Sequence, residues 1–240
     1  MTTPSGAHRI LVVTSCTGEK KAHGNPGLEQ ADFADPVRLR GREAELRNLM
    51  HPAGAMYTGQ QHERAMRGVT LLRNGLGADA IDVLILSAGY GLIAEDQLVA
   101  PYDVIFNQMR KREAREWAAR LDAARSLRAR MGGYDLVLVL LGSAYLDAVA
   151  PPLPVAPRQR IVYFAKEAEA PRIMPGGGVL VPSGAAESTR YSCGIIGLKG
   201  EMLRLFGTAV DRHGPRLVDA VIADPTNATM TNILEREAAP

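Results

Sequence analysis

The sequence predicts an α/β fold, a doubly wound three-layer sandwich on a mostly parallel sheet of about five strands. Two observations carry this: short, almost wholly apolar runs recur along the chain, as in strands buried on both faces of a parallel sheet, and amphipathic helical stretches separate them. A third points to a site. Val12-Val13-Thr14-Ser15-Cys16, Leu84-Ile85-Leu86-Ser87-Ala88-Gly89-Tyr90-Gly91 and Val139-Leu140-Leu141-Gly142-Ser143 all end in small polar or glycine residues. Strand carboxyl ends in an open α/β sheet face one crevice, and small residues there leave backbone N–H groups and hydroxyls free for a ligand. All three turns are therefore expected to share one cleft.

In chain order, residues 9–15 read as the first strand. Residues 17–36 follow, polar with Gly24, Pro26 and Gly27, long enough for a functional loop or lid. Thr58 is placed to N-cap a helix over 60–76 with Ala65, Met66, Val69 and Leu72 on one stripe. Residues 80–87 read as the second strand. A long helix is expected over 108–131, with Trp117, Leu121, Ala124 and Leu127 facing the core. Further strands are expected at 134–141, 160–164 and 179–181, a stiff crossing at 150–157 with its four prolines, and a helix at 201–206. Residues 1–222 read as one α/β domain. The tail, 223–240, is expected either to dock as a helix around 230–236 or, the reading favoured here, to be partly disordered.

Composition narrows the function classes. At 240 residues, 46% hydrophobic and 22% charged, the chain can bury a full core. No apolar run reaches the ~20 residues of a membrane helix and no signal peptide precedes the first strand, so a cytoplasmic protein is expected. Two cysteines and five scattered histidines give no zinc-type spacing, so no metal is expected. No P-loop follows any strand, and no cofactor is expected. A formal net charge of +2 does not by itself argue for nucleic acid. The oligomeric state is not legible.

Each candidate site residue has a bland alternative. Ser15 and Cys16 either hold a ligand or satisfy a tight turn, and Lys20 either clamps a phosphate or is a solvated loop charge. The glycines flanking Tyr90, Gly89 and Gly91, permit positive φ and close approach of a ligand, and Tyr90 can stack on a base; the alternative is a packed turn. Asp96 is a candidate general base or ribose contact, or equally the cap of a local turn. His62 is either an acid–base group or a buried histidine. Gly197 and Lys199 stand where a helix begins. A lysine there opposes the dipole, so an anion site explains it better than a stabilising role. Basic residues over 110–130 (Arg110, Lys111, Arg112, Arg115, Arg120, Arg125, Arg128, Arg130) make nucleic acid an alternative partner, with a solvated face as the default.

Ser87-Ala88-Gly89-Tyr90-Gly91-Leu92, then Asp96, Leu98 and Pro101-Tyr102, resembles the Ser-x-x-Tyr-Gly-Leu, Asp-x-Leu, Pro-Tyr signature of the YaaA peroxide-stress proteins and their relatives. Ser15-Cys16 with Lys20, Tyr57-Thr58-Gly59 and Gly194 to Lys199 resemble other blocks of those relatives. The resemblance implies an α/β fold, association with DNA and protection against oxidative damage, while the wider set of relatives sits beside enzymes of modified nucleobases. The helix-hairpin-helix element of the YaaA proteins has no clear counterpart in this chain. Cys16-Thr17-Gly18-Glu19-Lys20 is similar to a Cys-x-x-x-Lys element of archaeosine synthase, with Lys21-Ala22 in place of the Pro-Tyr that follows it there. That similarity implies a lysine nucleophile toward a deazaguanine nitrile.

The expected function is an enzyme acting on a nucleotide, nucleoside or modified nucleobase, at a glycosidic or base carbon. Its expected catalytic residues are Cys16, Lys20, Tyr90 and Asp96. Ser15, Thr58, His62, Ser87, Gly89, Gly91, Tyr102, Gly142, Ser143, Gly197 and Lys199 are expected to bind the small nucleotide-like ligand. The alternatives are a YaaA-like nucleic-acid-binding stress protein and a ligand sensor without turnover.

Overall fold

The structure is a computed structural model that describes residues 8–21 and 27–239. These residues form a mixed α/β fold around a six-stranded sheet. Its strands are β1 (Ile10–Ser15), β2 (Ile81–Ser87), β3 (Gly91–Ala94), β4 (Leu136–Val139), β5 (Arg160–Ala165) and β6 (Val179–Pro182), in spatial order 3-2-1-4-5-6. Five strands run parallel, as their apolar runs predict. The sixth, β3, is an antiparallel edge that returns from β2, with Ser87 opposite Gly91. It was not expected, because four residues behind a glycine-rich turn carry little periodicity. Gly91 has φ +73°, a backbone state that glycine adopts without strain.

Every residue of β1 and β4 is buried, so both faces of the sheet centre are covered. One helical layer contains α1 (Gln60–Leu76) and α4 (Leu198–His213), joined along their length. Backbone meets backbone there: Gly68, Gly75, Gly200 and Gly207 lie at the crossing, and a Cβ on Gly200 would stand 2.2 Å from the Gln61 carbonyl oxygen. The other layer contains α2 (Lys111–Arg120), α3 (Ala123–Arg130) and the short helix Ser143–Val149.

Four expectations need correction. The helix over 108–131 is two helices, broken at Asp122 with φ +53°, a left-handed position that aspartate tolerates better than most residues. Trp117 and Leu127 are still buried on either side of the break. The helix at 201–206 starts earlier and runs on to His213. Thr58 does not cap Gln60–Leu76; the N-cap is Gly59, whose N–H donates to Thr17 Oγ1 at 3.3 Å. The tail is also ordered. Ala228–Ala238 is a helix with Met230, Ile233 and Leu234 buried, started by Asp224, which accepts from the Thr226 and Thr229 N–H groups at 2.7 and 2.8 Å. Of the polar loop, residues 22–26, with Gly24 and Pro26, lie outside the described residues.

Candidate functional site

The chain leaves β1 for β2 on one side and later crosses to β4 on the other, so the order of the parallel strands reverses between β1 and β4. Ligand crevices of open α/β sheets form outside the strand carboxyl ends at such a point. A cleft of about 760 Å³ lies there, lined by residues at the carboxyl ends of four strands: Ser15 and Cys16 at the end of β1, Gly142 and Ser143 after β4, Ala165 and Lys166 at the end of β5, and Ser183 after β6. Phe106, Met109, Ile195 and Ile196 supply apolar walls, and Lys199 reaches in from the first turn of α4.

Two side chains from the paired helices hold the β4 turn in place. Gln61 Nε2 donates to the Leu140 carbonyl at 3.1 Å and Lys199 Nζ to the Leu141 carbonyl at 2.5 Å. The glycine crossing lets both helices come close enough to do so. Lys199 thus has a scaffold role that its place at a helix start did not reveal. Burial pushes its pKa down to about 8, against an opposing pull from Glu169 and a further lowering by Lys166.

Cys16 sits at the cleft floor, 4% exposed, its Sγ 3.1 Å from the Tyr145 hydroxyl and weakly contacted by the Ala88 N–H at 3.5 Å. Behind it runs a sealed polar chain: the Tyr102 hydroxyl is bonded to Ser87 Oγ at 2.7 Å and to the Tyr57 hydroxyl at 2.9 Å. Burial raises the pKa of Tyr57, Tyr102 and Tyr145, and a Cys16 thiolate would raise each further, so these hydroxyls remain protonated. Lys20 is 6% exposed, with Nζ 4.3 Å above the Tyr102 ring and without a hydrogen-bond partner among the described residues. Burial lowers its pKa, opposed by Cys16 and Asp103. Chemically, Cys16 is a thiol between hydroxyl and amide donors, with a buried amine nearby.

The common cleft expected for all three turns is therefore reached by two of them. Ser15, Cys16, Gly142, Ser143 and Lys199 line it. Ser87, Gly89, Tyr90, Tyr102 and Lys20 do not. A Cβ on Gly89 would stand 2.5 Å from the Phe33 ring, so it is Phe33 that uses the space kept open by this glycine. Tyr90 does not stack on a ligand: Phe33 and Tyr102 meet its ring edge-on at 5.0 and 5.7 Å, and its hydroxyl accepts from the Ala100 N–H at 3.0 Å. Ser87 Oγ accepts from the Gly89 and Tyr90 N–H groups at 3.1 and 2.9 Å, which makes it a turn residue. Gly91 serves the hairpin.

The remaining candidates lie elsewhere. His62 is 1% exposed and donates from Nε2 to the Gly54 carbonyl at 2.9 Å; burial lowers its pKa and keeps it neutral. With Thr58 it borders a separate shallow depression beside Lys21 and Arg67. Asp96 is exposed beside Glu95 and Asp82 at another depression, away from the cleft. Gly197 is the N-cap of α4, packed near Arg64. Within 110–130, Arg112 pairs with Glu116 and Arg125 with Asp122, while Arg120 and Arg128 donate to backbone carbonyls. Sequence reasoning missed Tyr145, Lys166 and Ser183. Ser183, a small polar residue just after β6, falls under the same strand-end rule, whereas Tyr145 and Lys166 carry no such signal.

Fold and site together define a doubly wound α/β protein with a ligand-sized cleft at its switch point. A family model matches residues 44–166, and the chain belongs to that family, which is described as a family of unknown function (DUF6884). The match takes in β2 through β5 with Gly142, Ser143 and Tyr145, and leaves Cys16, Lys20 and Lys199 outside it. No curated protein and no solved structure matches the chain. Among the described residues, no helix is long and apolar enough to cross a membrane and no group of side chains is arranged to hold a metal ion.

Proposed function

We propose that this protein is an enzyme acting on a nucleotide, nucleoside or modified nucleobase, a hydrolase or transferase related to the YaaA-like proteins. The observation that carries this reading is the placement of Cys16 and Tyr145 at the floor of the cleft over β1 and β4. The apolar walls of Phe106, Met109, Ile195 and Ile196 suit a planar ring, and the hydroxyls of Ser15 and Ser143 suit its polar edge. In this reading the Cys16 sulfur displaces the leaving group at the reacting carbon, the thiol proton goes to that leaving group, and water or an acceptor then takes the carbon from sulfur, which Tyr145 contacts throughout. Lys20 stands behind, buried over the Tyr102 ring. A cytoplasmic setting belongs to the same proposal, supported by two free buried cysteines.

The test is a panel of nucleosides, nucleotides and deazapurines screened by native mass spectrometry, with bound members followed for mass change. A product formed by the wild type and lost in Cys16→Ala, with binding kept, supports the reading. No binding from the panel refutes it. Binding without turnover assigns the protein to the sensor class instead.

A further inference from the structure

Five charged side chains line the cleft: Lys111, Lys166, Lys199, Asp147 and Glu169. The two acids fall short of balancing the three lysines, and a fourth cation draws on them. One guanidinium holds both, with Arg172 Nη2 2.6 Å from Asp147 Oδ1 and Arg172 Nη1 2.8 Å from Glu169 Oε2. The cleft is thus left with an excess of positive charge, concentrated at the β5 and β6 end where Lys166 and Lys199 stand.

A second, independent feature marks the same end. Ser183 is 3% exposed and lines the cleft, yet its Oγ has no hydrogen-bond partner among the described residues. Its backbone is fixed there by an N–H bond to the Ala165 carbonyl at 2.9 Å, beside Lys166. A buried hydroxyl left unpaired costs free energy that a ligand oxygen removes. The first turn of α4 borders this corner and adds the positive end of a helix dipole. Lys199 has used one ammonium hydrogen on Leu141 and keeps two.

The geometry points to an anion subsite at this end of the cleft, in which Lys199 Nζ, Lys166 Nζ and Ser183 Oγ take the phosphate of a nucleoside monophosphate. The inference rests on the reading of the cleft as a nucleotide-class site and narrows it to phosphorylated members, with the ring toward Phe106 and Ile195. The shared chemistry is a tetrahedral oxyanion, so free phosphate is bound by the same groups.

Isothermal titration of the full chain tests this, using inorganic phosphate, adenosine and guanosine 5′-monophosphate and the two parent nucleosides. The variants are Ser183→Ala and Lys166→Met. Lys199→Met is avoided because it also strips the donor from Leu141. The expected result is that a monophosphate binds better than its nucleoside, and that each variant weakens monophosphate and inorganic phosphate by about tenfold or more while leaving nucleoside affinity unchanged. Phosphate binding that neither variant alters would be adventitious and would overturn the subsite. Equal affinity for nucleoside and monophosphate also overturns it, with the nucleotide-class reading intact. If the variants weaken inorganic phosphate but no nucleoside or nucleotide binds better than phosphate alone, the subsite stands and the nucleotide-class reading falls.

Discussion

Replacing Gly200 by alanine should destabilise the protein and loosen the cleft together. The added Cβ would stand 2.2 Å from the Gln61 carbonyl oxygen and 3.0 Å from both the Ala65 nitrogen and Arg64 Cβ, where ordinary contact begins at 3.4 Å. The obstacle is backbone on the facing helix, so no rotamer change relieves it, and the two helices must part by about 1 Å. Overpacking of this kind costs about 1–3 kcal/mol, and alanine recovers up to about 1 kcal/mol of helix propensity. A net loss of about 1 kcal/mol lowers Tm by roughly 2–4 °C in a chain of this size. The assay is thermal denaturation beside Gly132→Ala, where an added Cβ meets nothing within 4 Å. Since Gln61 and Lys199 anchor Leu140 and Leu141 from these helices, ligand affinity should fall as well. An unchanged or higher Tm for Gly200→Ala would refute the packing argument.

Gly91→Val places a β-branched residue at φ +73° and should cost about 1–3 kcal/mol in urea denaturation; unchanged stability would mean that the hairpin tolerates the side chain. Gly142→Ala has φ −73° and no atom within 4 Å of its Cβ, so Tm should hold while ligand affinity drops, and equal affinity would show that no ligand approaches this backbone. Affinity for a phosphate monoester should fall as pH rises through about 8, because Lys199, facing Glu169 and Lys166, loses its charge there while the monoester, ionised near pH 6, does not change; a flat profile would remove Lys199 from the subsite. Lys20→Met should leave stability equal or higher at neutral pH. Burial lowers the folded-state pKa of Lys20, so the charged form is penalised below that value and the penalty disappears as pH rises toward 10.5. A variant that is less stable at neutral pH would show that the buried ammonium stabilises the fold.

Parallel strands were legible because β1 and β4 are buried on both faces and β2 is apolar apart from Asp82, which leaves a strong signal in the sequence. The break at Asp122 was not, since the apolar stripe continues across it through Trp117 and Leu127 and only a dihedral angle interrupts the helix. Ser15, Cys16 and Gly142 were found from the strand-end rule because it depends on topology alone. The same rule misread Ser87, Gly89 and Tyr90, since what occupies the space above a strand end depends on a distant segment. Here that segment carries Phe33, and nothing local to Gly89 announces it. Lys20 and Lys21 look alike as neighbours in a polar loop, but the first is buried over Tyr102 and the second is exposed.

Cys16 lies on the boundary between the sealed aromatic half of the strand ends and the open half. Phe33, Tyr57, Tyr90 and Tyr102 fill the one side, and the approach to sulfur is left to the side of β4 and β5. For the proposed reaction the consequence is stereochemical. A trigonal carbon meeting this thiol can present only one of its two faces, because the opposite trajectory runs through packed protein. An adduct at this sulfur would therefore form on one face of the ring alone, and that face would be set by a wall of tyrosines that never touches it.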